Sequence, residues 1–327
     1  MEATMSDIIL EVENLQTSFF TRVGEFKAVG GVSFEIREGE TFGLVGESAC
    51  GKSITALSLM RLVPEPAGQI IGGTIALDGI DVLSLTKDEM REFRGSKISM
   101  ILQDPMTSLN PVYTVGNQIA EPIRQHQQIT DADEVEDEVI SALKFLRIPA
   151  PEQRIHDYPF QMSGGMRQRV VGAIAMSCRP RILIADEPTT ALDATIQAQY
   201  LELFRDIQKS TNIGILFITH DFGVVASMCH RVGVMYAGKI LETAPTSTIF
   251  KSPLHPYTVA LINSVPRLDV KVDRLYSIEG QPPSLLNLPP GCRFAPRCPE
   301  VREICNEKQP DEIEVNPGHS VSCWKVR

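Results

Sequence analysis

Gly46-Glu47-Ser48-Ala49-Cys50-Gly51-Lys52-Ser53 reads G-x-x-x-x-G-K-S, the pattern of a loop that cradles phosphate in its backbone. Gly46 and Gly51 permit the tight curl that turns successive N–H groups into one concavity. Lys52 brings a mobile positive charge to the β- and γ-phosphates of a nucleotide, and the Ser53 hydroxyl is a hard oxygen ligand suited to Mg²⁺. The flanks agree. Thr41-Phe42-Gly43-Leu44-Val45 is a short apolar run that suits a buried strand, and Ser53 and Ile54 open a segment of helical spacing that runs to Leu62. A helix N-terminus would then face the phosphates. A chance glycine-rich turn has no reason to carry both flanks.

Composition bounds the rest. A chain of 327 residues has room for more than one core, and its 43% hydrophobic and 22% charged residues are ordinary for a globular protein. No apolar stretch approaches the roughly 18–20 residues needed to span a bilayer. The N-terminus carries Glu2, Asp7 and Glu11 instead of a basic start and apolar core, so no signal peptide is expected. The expected compartment is the cytoplasm, with any membrane role coming through a partner. A net charge of −10 argues against a surface that coats nucleic acid.

Outward from the loop, residues 8–45 hold short apolar runs broken by glycines and read as a strand-rich segment. Phe19 and Phe20 sit in it. Phe19 is the preferred ring to stack on a nucleotide base; the plainer alternative puts one ring in the core and one at the surface. Ile98 to Leu102 reads as a buried strand ending in Gln103-Asp104-Pro105, where proline drives the chain out of helical space and leaves Gln103 at a hinge. Residues 114–147 read as helical, with Thr130 as a cap and Val135, Val139, Leu143 and Leu146 as a core-facing stripe. Two more apolar strands follow, one ending in Asp186-Glu187-Pro188 and one, Gly214 to Thr219, ending in His220. Apolar strands alternating with helices imply a mostly parallel sheet, which binds ligands at the carboxyl ends of its strands. The phosphate loop, Gln103, Asp186, Glu187 and His220 all fall at such ends.

These residues divide the chemistry. Asp186 is suited to hold Mg²⁺, and Glu187 to orient or deprotonate an attacking water. Two acids directly after four apolar strand residues are poorly explained as a solvated turn. His220 reads as a sensor of the γ-phosphate or as a cap on its strand. Ser163-Gly164-Gly165, ahead of the helical run Val170 to Ala175, forms a second anion-ready helix start. One site needs one phosphate loop, so this second start reads as completing the site of another subunit. Finally, Cys292, Cys298, Cys305 and Cys323 crowd the C-terminus with five, six and seventeen residues between them. Reduced cytoplasmic thiols clustered in this way suggest metal ligation, with four incidental cysteines as the alternative. The spacing matches neither paired structural zinc sites nor a ferredoxin run, so it does not choose the metal.

Taken in order, the phosphate loop, Gln103, Ser163-Gly164-Gly165-Met166-Arg167-Gln168, Asp186-Glu187-Pro188, Ala191-Leu192-Asp193 and His220 resemble the nucleotide-binding subunit of an ABC transporter. Met162 stands where leucine is usual, and Ala49-Cys50 replace commoner small residues; neither removes a required donor. The resemblance implies an α/β fold: a phosphate-loop ATPase core over residues 1–250, with an N-terminal antiparallel β subdomain and a helical subdomain at about 104–178. Residues 251–327 would form a small irregular cysteine-containing domain. It also implies that residues 46–54 and Phe19 hold ATP, and that Ser53, Gln103 and Asp186 hold Mg²⁺. Glu187 would be the general base and His220 the switch. Ser163, Gly164, Gly165, Gln168 and Asp193 would act in trans on a partner's ATP.

Gln161 to Arg169, Ile184 to Asp193, Ser252-Pro253-Leu254-His255-Pro256-Tyr257-Thr258 and the cysteine-bearing tail resemble the D-type ATPase of dipeptide and oligopeptide importers. This branch implies ATP-driven peptide uptake at the cytoplasmic face of the membrane. Its partners would be a paralogous ATPase in a heterodimer, two permease subunits and an extracytoplasmic solute-binding protein. Importers of nickel or other small solutes belong to the same branch. Against a soluble ATPase of DNA repair or translation stand the single motif set and the acidic balance, and no fused membrane domain marks half an exporter. The same resemblance tilts the four cysteines toward a 4Fe–4S cluster, with zinc as runner-up and His319 as a substitute ligand.

Overall fold

The computed structural model describes residues 7–190, 192–265 and 276–327. Its first strands are β1 (Ile8–Thr21), β2 (Gly24–Arg37), β3 (Thr41–Val45), β4 (Gly68–Leu77), β5 (Ile80–Asp81) and β6 (Ile98–Ile101). They are followed by β7 (Ile182–Asp186), β8 (Gly214–Thr219), β9 (Arg231–Tyr236), β10 (Lys239–Pro245), β11 (Ile313–Asn316) and β12 (His319–Val321). The chain divides into two compact units. The first gathers Arg37–Glu40 and Ser84–Phe217 with the residues up to Ile9, and the second gathers Leu10–Ile36, Thr41–Leu83 and Ile218–Arg327.

In the first unit the strand order is β8-β7-β6, with β6 and β7 parallel in the register Ile98 to Ile182. Every residue of β7 and of β8 is buried, as expected of parallel strands covered on both faces. The helix Ala194–Thr211 packs its aromatic side over this sheet: Phe204 meets Phe217 edge-on at 6.2 Å between ring centroids, and Tyr200 at 4.9 Å. The helix Ala132–Phe145 buries Val135, Val139 and Leu143, and Leu146 follows them into the core, as the stripe predicts. Its cap is Asp131, one residue after the expected Thr130. The Asp131 carboxylate accepts from the N–H groups of both Asp133 and Glu134, satisfying two of the orphan donors at the helix start.

In the second unit β1, β2, β4 and β5 form an antiparallel sheet of order β2-β1-β4-β5. The burial of β2 alternates over its second half, the mark of a sheet with one face in the core. A second order, β11-β12-β10-β9-β3, surrounds the phosphate loop. β3 runs parallel to β9, while β9, β10, β12 and β11 are joined by antiparallel pairs. The C-terminal residues are therefore less irregular than expected. Glu242 and Thr243 of β10 pair with Val321 and Ser320 of β12, which extends the sheet by a hairpin turning at Gly318 (φ +72°). Strands of three and four residues are too short for a period of two to stand out in the sequence.

Asp131→Ala should lower the unfolding free energy by about 1 kcal/mol, while Thr130→Ala should change it by a few tenths at most. Urea unfolding of both variants followed by circular dichroism decides which residue caps the helix.

Candidate functional site

The phosphate loop leaves β3 and enters the helix Lys52–Leu59. Gly46 (φ +154°) lies so close to β9 that a Cβ there would stand 2.1 Å from the Met235 carbonyl oxygen. Gly51 (φ +110°) would likewise drive a Cβ to 2.4 Å from the Ala28 carbonyl. At these two positions only glycine fits. The Gly238 N–H donates to the Cys50 carbonyl at 2.7 Å, so the turn between β9 and β10 braces the loop from behind. Lys52 is buried, and its Nζ donates to the Gly46 carbonyl at 2.8 Å and the Glu47 carbonyl at 3.0 Å. Ser48, Ala49 and Ser53 face outward, and Ile54 is half-buried. Burial pushes the Cys50 thiol above its ordinary pKa, partly offset by the Lys52 ammonium beside it.

Phe19 is half-buried and Phe20 exposed. Gly68, paired with Phe19 across β1 and β4, leaves room for the ring: a Cβ there would come within 2.8 Å of it. Two residues upstream, the Thr17 hydroxyl is 2.8 Å from that of Ser58, which ties β1 to the helix behind the phosphate loop. His220 is exposed just past the end of β8, ahead of Asp221, whose carboxylate caps the next helix through Gly223 and Val224.

The first unit brings two candidates together. The Gln103 Nε2 donates to the Glu187 carboxylate at 2.8 Å, and the Thr190 hydroxyl donates to the same oxygen at 3.1 Å. Glu187 itself has φ +46°, a conformation that costs an L residue roughly 1–2 kcal/mol. It bends the chain sharply after the buried Asp186, so that consecutive acids leave the strand in different directions. Gln168 has another place than expected. It is 1% exposed, and its side-chain amide donates to the Pro188 carbonyl at 2.7 Å while its backbone carbonyl accepts from the Tyr200 hydroxyl. It thus fixes the bend after Glu187 instead of facing outward.

Ser163 caps the helix Gly164–Met176 by accepting from the Met166 N–H. Gly164 is open, with nothing within 4 Å of a Cβ, whereas a Cβ on Gly165 would meet Ile196 at 2.8 Å. Asp193 caps the following helix through Thr195 and Ile196. Ala191 lies outside the described residues.

The four C-terminal cysteines line one cavity, together with His255, Arg302 and Trp324. The Cys305 sulfur accepts the Arg302 N–H at 3.4 Å, and the Cys323 sulfur accepts the Lys325 N–H at 3.5 Å. Burial raises the Cys292 thiol to about 11, with the neighbouring Cys305 and Cys323 adding to it, and raises Cys298 and Cys323 as well. Among the described residues, no group of three or more His, Cys, Asp or Glu side chains is placed so that it could hold a metal ion. His319 is engaged elsewhere, its Nε2 lying 2.8 Å from buried Glu242, which also accepts from the N–H groups of Leu254 and His255.

Sequence reasoning passed over the residues that bind this tail to the loop. The Tyr257 hydroxyl accepts from the Glu47 N–H at 3.0 Å, and Arg297 forms a two-pronged ion pair with the Glu47 carboxylate. Burial holds the His255 imidazole neutral, with its pKa pushed down to about 3, so its Nδ1 accepts from the Tyr257 N–H. The only signal in the sequence was the run Ser252 to Thr258, which periodicity does not explain.

Comparisons with known proteins define the class and then the branch. An ABC transporter family model matches residues 29–190, and a model for the C-terminal region of oligopeptide/dipeptide transporters matches residues 241–305. The structure is similar to cbiO1 from Clostridium perfringens, part of an ABC transporter complex, with a TM-score of 0.65 and 26% identity over 76% of this chain and 92% of that one. The dipeptide transport ATP-binding protein DppD of Bacillus subtilis is 50% identical over 97% of this chain and 94% of its own. A probable peptide ABC transporter ATP-binding protein of Sinorhizobium fredii is 49% identical over 98% and 96%. The chain belongs to the ABC transporter family, and its tail is that of the oligopeptide/dipeptide transporters.

Proposed function

We propose that this chain is the ATP-hydrolysing subunit of an importer that takes up dipeptides or oligopeptides. The observation that carries the catalytic part is the Glu187 carboxylate, held by Gln103 and Thr190 on a strained bend at the end of a buried strand. That carboxylate has an oxygen able to accept the proton of an attacking water, while Gln103 fixes its direction. Residues 46–54 hold the phosphates, Phe19 takes the adenine, and Ser53, Gln103 and Asp186 hold Mg²⁺. The metal supplies charge neutralisation on the phosphates. His220 is the γ-phosphate sensor. Near-full-length similarity to peptide transport ATP-binding proteins supports the choice of cargo.

Ser163, Gly164, Gly165 and Asp193 serve a partner's ATP. An exposed capped helix start with the open Gly164 fits that role, because a second subunit can approach its free N–H groups. The partner is a paralogous ATPase, and the pair works at the cytoplasmic face of the membrane with two permease subunits and an extracytoplasmic solute-binding protein. No helix among the described residues is long and apolar enough to cross the membrane, which fits a peripheral subunit.

The cysteine cavity is the site of a 4Fe–4S cluster. Four thiols around one cavity match the donor set such clusters use. The cluster would supply a covalent staple or a redox centre for the turns that carry the four cysteines.

Glu187→Gln should retain MgATP binding but reduce hydrolysis at the site this chain supplies by about 10²-fold or more, because an amide cannot take the proton. Near-normal turnover beside a hydrolysis-dead partner would remove Glu187 as the base. Chain purified without oxygen should be brown, with about four iron and four sulfide per molecule. Colourless protein carrying stoichiometric zinc would refute the cluster, and metal-free protein would refute the site.

A further inference from the structure

Glu47 is an acid inside a loop built for polyphosphate. Left alone, its carboxylate would repel the anion that the loop collects. Arg297 neutralises it, with Nη1 at 2.7 Å from one Glu47 oxygen and Nη2 at 3.1 Å from the other. The Arg297 side chain is 4% exposed and that of Glu47 26%, so water screens the pair weakly. The remaining guanidinium edges are fixed too. Nε donates to the Glu279 carbonyl at 2.9 Å, Nη1 to the Tyr236 hydroxyl at 3.3 Å, and the plane stands over the Tyr236 ring. A fork held on every side has little freedom to leave its partner.

Arg297 is carried by the turn between two of the cysteines. The Ala295 N–H donates to the Cys292 carbonyl, the Arg297 N–H to Phe294, and the Cys298 N–H to Ala295, so residues 292–298 form one tight unit. Phe294 in that turn packs on Tyr257 at 5.3 Å, and Tyr257 accepts the Glu47 N–H. Arg293 donates to the Ala237 carbonyl, next to the Gly238 that braces Cys50. Both ends of the phosphate loop therefore lean on residues adjacent to Cys292 and Cys298.

We propose that Arg297 is a positioning residue for ATP: it cancels the Glu47 charge and holds the phosphate loop in shape, so that nucleotide affinity depends on the cysteine-bearing turn. This rests on the reading of residues 46–54 as the ATP loop. Cancellation of charge makes a demand that packing alone does not. Removing the acid must repair the loss of the arginine.

Titration calorimetry of MgATP into the full chain tests it. Arg297→Met should weaken binding about tenfold, because it leaves the Glu47 charge unpaired beside the phosphates. Adding Glu47→Gln to Arg297→Met should restore affinity to within about threefold of the parent, and Arg297→Lys, which keeps charge without the fork, should fall between. Affinity of Arg297→Met within twofold of the parent would overturn the proposal. A double variant as weak as Arg297→Met, whether from unfolding or from lost contacts, would overturn it too. If the parent chain itself fails to bind MgATP, the ATP reading of the loop falls, and this proposal with it.

Discussion

The phosphate loop closes around a lysine buried within it. Lys52 donates to the carbonyls of Gly46 and Glu47, which keep a charge of low exposure satisfied before any ligand arrives. A phosphate offers the same ammonium a charge-assisted partner in place of neutral carbonyls. The loop does not have to fold around its ligand, because contacts to β9 and the Gly238 brace already fix its curl. Binding then loses little to ordering the chain, which is the physical content of a preorganised site.

In the first unit the equivalent constraint is the bend at Glu187. Asp186 remains at the buried end of β7, whereas Glu187 turns into a left-handed conformation and meets Gln103 and Thr190. Two neighbouring acids thereby acquire different surroundings, as the proposed roles of metal ligand and proton acceptor require. Gln168 holds the chain just beyond the bend through Pro188. Strain at Glu187 is thus balanced by hydrogen bonds from the nearby Thr190 and from Gln103, distant in sequence.

Much of this was legible in the residues. The strands β3, β7 and β8 announce themselves as continuous apolar runs, and the phosphate loop follows β3 as its motif requires. The helix stripe from Val135 to Leu146 is buried as its spacing predicts. Other features rest on contacts between distant residues. The cap moved from Thr130 to Asp131 because a carboxylate accepts two N–H groups where a hydroxyl commonly takes one. Gln168, placed in a motif that faces outward at Ser163, lies five positions later, a full turn plus about 140° around the helix, and points inward. Nothing in the spacing of the cysteines placed them against the loop. That link runs through Arg297, 250 positions from Glu47, and no local pattern encodes it.

The account stands on the phosphate loop being the seat of MgATP, with Lys52 as its charge. Equilibrium binding of MgATP to the Lys52→Met chain, beside the parent at equal ionic strength, is the most direct test. The account predicts affinity lower by at least about tenfold with the melting temperature little changed, since methionine keeps the apolar stem and loses only the ammonium. Unchanged affinity in a folded Lys52→Met chain would contradict it.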